Sequence, residues 1–143
     1  MSVYLRAIQG LEKWKIKFCG DGPLRKRAEE YGQVTGMVKD LMSHILGARF
    51  VFTSGYLAIL EAMVSKRLVF AVYDNPLKKD YLKMAGFAKW IIIVKSGGEL
   101  VKKVDYYFTH PEKEEKLVNG GYNWASKQKW EKVVKMYEKL WQK

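Results

Sequence analysis

The stretch Arg49-Phe50-Val51-Phe52-Thr53-Ser54-Gly55-Tyr56-Leu57-Ala58-Ile59-Leu60-Glu61-Ala62-Met63-Val64-Ser65 changes its period in the middle. Arg49 to Thr53 is an aromatic and β-branched run, as a buried strand requires, whereas 56 to 65 is apolar with helical spacing. The small pair Ser54-Gly55 between them leaves room only for a tight turn. Strand, turn and helix in that order are the unit of a parallel sheet covered by helices. The turn places the amides of Ser54 and Gly55 at the carboxyl end of a strand, the edge where open α/β sheets take ligands, and aims the positive helix end at an anion. Glu61 sits a turn and a half into the helix among Leu57, Ile59, Leu60, Ala62 and Met63. A carboxylate there could accept hydrogen bonds from vicinal sugar hydroxyls. Spacing alone favours a salt-bridged or partly exposed place on the helix flank.

Outward from this unit the same rhythm repeats. Helices are expected over 3–12, 23–31, 39–46, 56–65, 77–84, 98–108 and 121–141, and strands over 15–19, 34–38, 49–53, 68–73 and 90–94. Pro23 and Pro76 suit first helical turns, with Asp21 or Gly22 and Asn75 just upstream as caps. Asn119-Gly120-Gly121 reads as a turn before the last helix. The expected architecture is a Rossmann-like α/β domain of three layers, with an open, mostly parallel sheet of about five strands, and a single domain over 1–143.

Composition narrows the function classes. At 143 residues, 48% hydrophobic and 14% aromatic, the chain forms one core and is not a disordered or low-complexity segment. One cysteine, Cys19, closes no disulfide and builds no thiolate cluster, which points to a reducing, cytoplasmic setting. No apolar run reaches the length of a membrane span, and Met1-Ser2-Val3-Tyr4-Leu5-Arg6 lacks the apolar core of a signal peptide. The net charge of +11 predisposes the chain to polyanions, and residues 66 to 143 hold 17 basic and 9 acidic side chains. His44 and His110 lie in different elements without a nearby nucleophile motif, so neither triad chemistry nor a metal site is expected. Phe18-Cys19-Gly20-Asp21-Gly22-Pro23 is a second strand ending in a glycine turn, suited to phosphate but lacking the third glycine of a dinucleotide fingerprint. The last segment spaces Trp130, Val133, Val134, Tyr137, Leu140 and Trp141 helically, with Lys127, Lys129, Lys132, Lys135 and Lys139 between them. Such a basic amphipathic helix suits a membrane surface, a partner domain or nucleic acid; the commoner fate of the stripe is packing on its own domain.

Together these features resemble the C-terminal, nucleotide-sugar-binding domain of the retaining "group 1" GT-B glycosyltransferases. Lys15 to Pro23 is similar to that family's strand ending in Gly-Asp-Gly-Pro. Glu61-Ala62-Met63-Val64-Ser65-Lys66-Arg67-Leu68-Val69-Phe70-Ala71 runs without gaps along its Glu-Ala-Met-Ala-x-Gly-Lys-Pro-Val-Val-Ala. The ending, Trp124 to Lys127 with Trp130 to Trp141, resembles its terminal helix. The resemblance implies that Glu61 is the ribose ligand, that Ser54, Gly55, Tyr56 and Leu57 line the diphosphate turn, and that Gly20 lines the cleft near the nucleotide. It implies no cofactor and no metal, the nucleotide diphosphate sugar being a donor substrate. It also implies half of a GT-B fold that works, as a hexosyltransferase, with an acceptor-binding subunit or a further copy.

The chain departs from the family pattern in several places. Thr53 stands where the first glutamate of Glu-x7-Glu would be, and Lys66 and Leu68 replace glycine and proline. The family's first strand, with its Arg and Lys for the diphosphate, is not expected within these residues, so strand 15–19 is expected either to pair directly with strand 49–53 or to leave a gap that another chain fills. Three functions stay open: a donor-binding half working at an anionic membrane or a partner subunit, a degenerate relative, and a basic nucleic-acid binder.

Overall fold

The computed structural model describes residues 2–141. Met1, Gln142, Lys143 and the side chains of Ser2 and Lys132 lie outside the described residues. Its helices are α1 (Ser2–Ile8), α2 (Arg25–Glu29), α3 (Leu41–Leu46), α4 (Tyr56–Val64), α5 (Pro76–Met84), α6 (Gly97–Thr109), α7 (Pro111–Ala125) and α8 (Trp130–Trp141). The strands are β1 (Lys17–Phe18), β2 (Gln33–Val34), β3 (Phe50–Phe52), β4 (Leu68–Val72) and β5 (Ile92–Val94). All ladders are parallel, as a Rossmann-like α/β chain demands.

The five strands divide into a three-stranded sheet, β3-β4-β5, and a two-stranded one, β1-β2. β4 is central and buried along its whole length, which its continuous apolar run Leu68-Val69-Phe70-Ala71-Val72 allows. Among the described residues β1 has no ladder with β3; of the two expectations for that place, direct pairing does not occur. Side chains connect the sheets instead. Val3, Ala7 and Leu11 enter the core over β3, β4 and α6, while Leu5 and Ile8 join Ala28 beneath β1 and β2. α1 is therefore apolar nearly all round and serves two cores at once. Trp14 completes the link, edge-on to Phe108 at 4.7 Å and tilted against Phe50 at 5.8 Å.

The strand expected over 34–38 shortens to Gln33–Val34, and the helix expected over 23–31 starts at Arg25, past Pro23. Two larger differences lie toward the C-terminus. The segment 121–141 is not one helix. α7 starts at Pro111 and carries Asn119-Gly120-Gly121 in its interior, so these residues are no turn. A Cβ on Gly120 would stand 2.0 Å from the Trp90 ring, so glycine is there to let the indole lie against the helix backbone. α7 stops at Ala125, where the side chains of Ser126 and Gln128 donate to the carbonyls of Tyr122 and Trp124 and so satisfy the final turn. The second difference is Trp90, which is in a 3₁₀ turn over Ala88–Trp90 rather than in the strand.

Candidate functional site

At the carboxyl ends of β3 and β4 lies a cleft of about 300 Å³, lined by Val3 and Tyr4 of α1, Ser54 and Gly55, Val72, and Asp74, Asn75 and Lys78 at the start of α5. Its floor is a hydrogen-bond chain. The Ser54 hydroxyl donates to the Val72 carbonyl at 2.8 Å, which leaves its oxygen to receive the Tyr4 hydroxyl at 2.7 Å. The Val72 N–H donates to both oxygens at 3.0 Å. The Tyr4 and Ser54 side chains thus continue the β4 ladder past the point where β3 ends. Burial pushes the Tyr4 phenol above its ordinary value, opposed by its hydrogen bonds to Ser54 and Val72.

Above this floor α4 opens on Gly55, in extended backbone and without a side-chain cap. The Gly55 N–H takes Thr53 Oγ1 at 3.3 Å, and the Tyr81 phenol faces the Tyr56 amide. The amides of Leu57 and Ala58 have no partner among the described residues. Lys78 donates from Nζ to the Ser54 carbonyl at 2.6 Å and lies 4.6 Å above the Tyr81 ring. That holds a cation one residue ahead of the uncapped helix end. α5 by contrast is closed: the Asn75 side chain accepts from the Lys78 N–H at 2.8 Å, and Pro76 follows. The arrangement can receive an anion between free amides and an ammonium.

The residues singled out from the sequence fall in three places. Ser54 and Gly55 line the cleft. Tyr56 and Leu57 are on the first turn of α4 with exposed side chains. Glu61 is half-buried farther along the same helix, and its carboxylate makes no ion pair among the described residues. Gly20 lies at the end of β1 with φ of +130°, donating its N–H to the carbonyl of Gly36, whose φ is +70°. It does not line this cleft. Asp21 in the same turn is used locally: the Gly22 N–H at 2.8 Å and Arg25 at 2.7 Å hold its carboxyl below the ordinary value.

Tyr4, Asp74, Asn75 and Lys78 were not candidates from the sequence as ligand contacts. Tyr4 meets Ser54 across 50 residues, and no local pattern signals such a contact. His110 joins α6 to α7 with Nδ1 2.8 Å from the Tyr106 carbonyl, and His44 is in α3. Among the described residues no group of three or more His, Cys, Asp or Glu is placed to hold a metal ion. No helix there is long and apolar enough to cross a membrane.

No protein-family model matches the sequence, and no curated protein does. Solved structures do match. TarM, a GT-B wall teichoic acid glycosyltransferase, superposes with a TM-score of 0.72 over 94% of this chain at 15% sequence identity. The chain spans 30% of TarM's length. At that identity the likeness is one of fold: the chain has a glycosyltransferase-like fold.

Proposed function

We propose that the chain is the nucleotide-sugar-binding half of a GT-B type glycosyltransferase, which binds a nucleotide diphosphate sugar for transfer to an acceptor held by another subunit or domain. The observation that carries this reading is the uncapped first turn of α4, opening beside a cleft that holds the Lys78 ammonium. The glycosyltransferase-like fold supports it, because ligands of open α/β sheets sit at this carboxyl edge. In this reading the amides of Leu57 and Ala58 and the Lys78 ammonium meet the diphosphate. Glu61 lies about 7.5 Å along the helix axis from Tyr56, five residues at 1.5 Å each. There it accepts the ribose hydroxyls. No residue is assigned to the transfer step, since the acceptor side of such a site belongs to the other half.

Calorimetric titration with UDP, GDP, ADP and their sugars tests the proposal. One nucleotide should bind saturably, and Glu61→Ala should weaken it by about 100-fold or more, the loss of two charged hydrogen bonds at about 1.5–3 kcal/mol each. A folded chain that binds none of them would contradict the reading and leave a fold without its donor site.

A further inference from the structure

α8 presents a face that the domain does not cover. Of its twelve residues seven are apolar or aromatic. Trp130, Val133, Val134, Tyr137, Leu140 and Trp141 are all exposed, from 39% at Val133 to 79% at Trp141, and Met136 is 61% exposed. At 100° per residue they fall within one arc of about 160°, with Glu131, Lys135, Glu138 and Lys139 on the opposite one. None of the seven joins a hydrophobic core of the domain. The sequence leaves self-packing open as the fate of this stripe, and the structure does not pack it.

We infer that α8 lies in the surface of an anionic lipid bilayer, apolar arc downward and parallel to the plane. The lengthwise arrangement of side chains fits that occupant. Trp130 and Trp141 are the first and last residues of the helix, about 16 Å apart along its axis. Indole and phenol rings suit the boundary between head groups and acyl chains, where one edge is apolar and the other wet. Lys127 and Lys129 lead into the helix exposed, and Lys139 stands on the polar side within about 60° of the arc's edge, so their ammonium groups reach lipid phosphates while the stems cover apolar surface. The charge complementarity extends beyond the helix, because the half of the chain that contains it carries a surplus of eight positive charges. A second copy is the poorer occupant: it would bring +11 against +11. This inference is independent of the donor cleft.

Co-sedimentation of the full chain with vesicles of phosphatidylcholine alone and of phosphatidylcholine with 30% phosphatidylglycerol tests it. The wild type should bind the anionic vesicles, with a blue shift of tryptophan emission, and bind the neutral ones at least tenfold more weakly. Trp130→Ala with Trp141→Ala should weaken anionic binding at least tenfold, while circular dichroism and nucleotide titration stay as in the wild type. Lys127→Gln with Lys129→Gln should cost about fivefold per charge. Absence of binding to anionic vesicles would overturn the inference. So would binding that the double tryptophan variant retains in full, which would assign it to the remaining basic surface. Elution as a dimer that the same variant disperses, without vesicle binding, would assign the face to a second copy. Capture of the face by a purified acceptor-binding subunit, with no vesicle binding, would assign it to a protein partner.

Discussion

Gly120→Ala places a methyl group where the Trp90 ring lies. The added Cβ would stand 2.0, 2.3 and 2.6 Å from Cζ3, Cε3 and Cη2 of that indole. Carbon atoms need about 3.5 Å or more, so the ring must retreat by about 1.5 Å or α7 must move. Neither is free: Trp90 packs with the buried cluster of Ile59, Met63, Leu82 and Phe87, and Ala125 of α7 is buried in the same cluster. Alanine in a helix interior is favoured over glycine by about 1 kcal/mol. Displacing a large aromatic from its slot costs about 3–5 kcal/mol. The net expectation is destabilisation of about 2–4 kcal/mol, lowering Tm by about 6–15 °C at this chain length. Urea unfolding followed by circular dichroism reads it, with Trp90→Ala as the second arm of a double-mutant cycle. With the ring gone, Gly120→Ala should change sign and stabilise the helix by up to about 1 kcal/mol. Stabilisation by Gly120→Ala in the wild-type background would mean that the ring does not lie against that backbone.

Other positions give further expectations. Lys66 ends α4 with φ of +54°, its N–H and that of Arg67 closing on Met63 and Ala62; Lys66→Gly should raise stability by about 0.5–1 kcal/mol in denaturant titration, less what its ammonium gains 4.9 Å above the Tyr122 ring. Tyr4→Phe should cost about 1–2 kcal/mol through the lost hydroxyl, leaving Val72 N–H to Ser54 alone. Its pH dependence is as telling. Burial raises the folded phenol above 10.0, so the stabilisation is present below that pH and lost as pH rises through the folded value. Alkaline stability should therefore fall less steeply in Tyr4→Phe, with the raised Tyr81 and Tyr107 phenols accounting for the remaining slope. Arg49→Ala should destabilise by about 1–2 kcal/mol in thermal unfolding, since its guanidinium binds Glu114 at 2.7 Å and sits 4.6 Å over the Phe108 ring.

The alternation of strands and helices was legible wherever the chain changes period sharply. Residues 49–65 and 68–72 form the expected strands and helix, and the Asn75-Pro76 start of α5 follows from capping chemistry alone. The split into two sheets was not legible. β1 and β2 contain only two residues each, and whether neighbouring runs pair is decided by α1, whose two faces fill two cores. α7 was misread because glycine is the same letter in a turn and under a tryptophan ring; only the approach of Trp90 from 30 residues away distinguishes them. In the cleft, Ser54 and Gly55 could be picked from their turn, since strand ends and helix starts are local properties. Tyr4 and Lys78 could not. The first reaches the cleft through the packing of α1, and the second through a contact with a carbonyl 24 residues earlier.

In the proposed function the nucleotide's diphosphate sits on the first turn of α4. Amide chemical-shift mapping of the labelled protein during titration with the nucleotide that binds tests this residue by residue. The largest shifts should fall at Gly55, Tyr56, Leu57 and Ala58, with a perturbed Lys78 side chain. Shifts absent from that turn, or confined to α8 and its lysines, would contradict that placement.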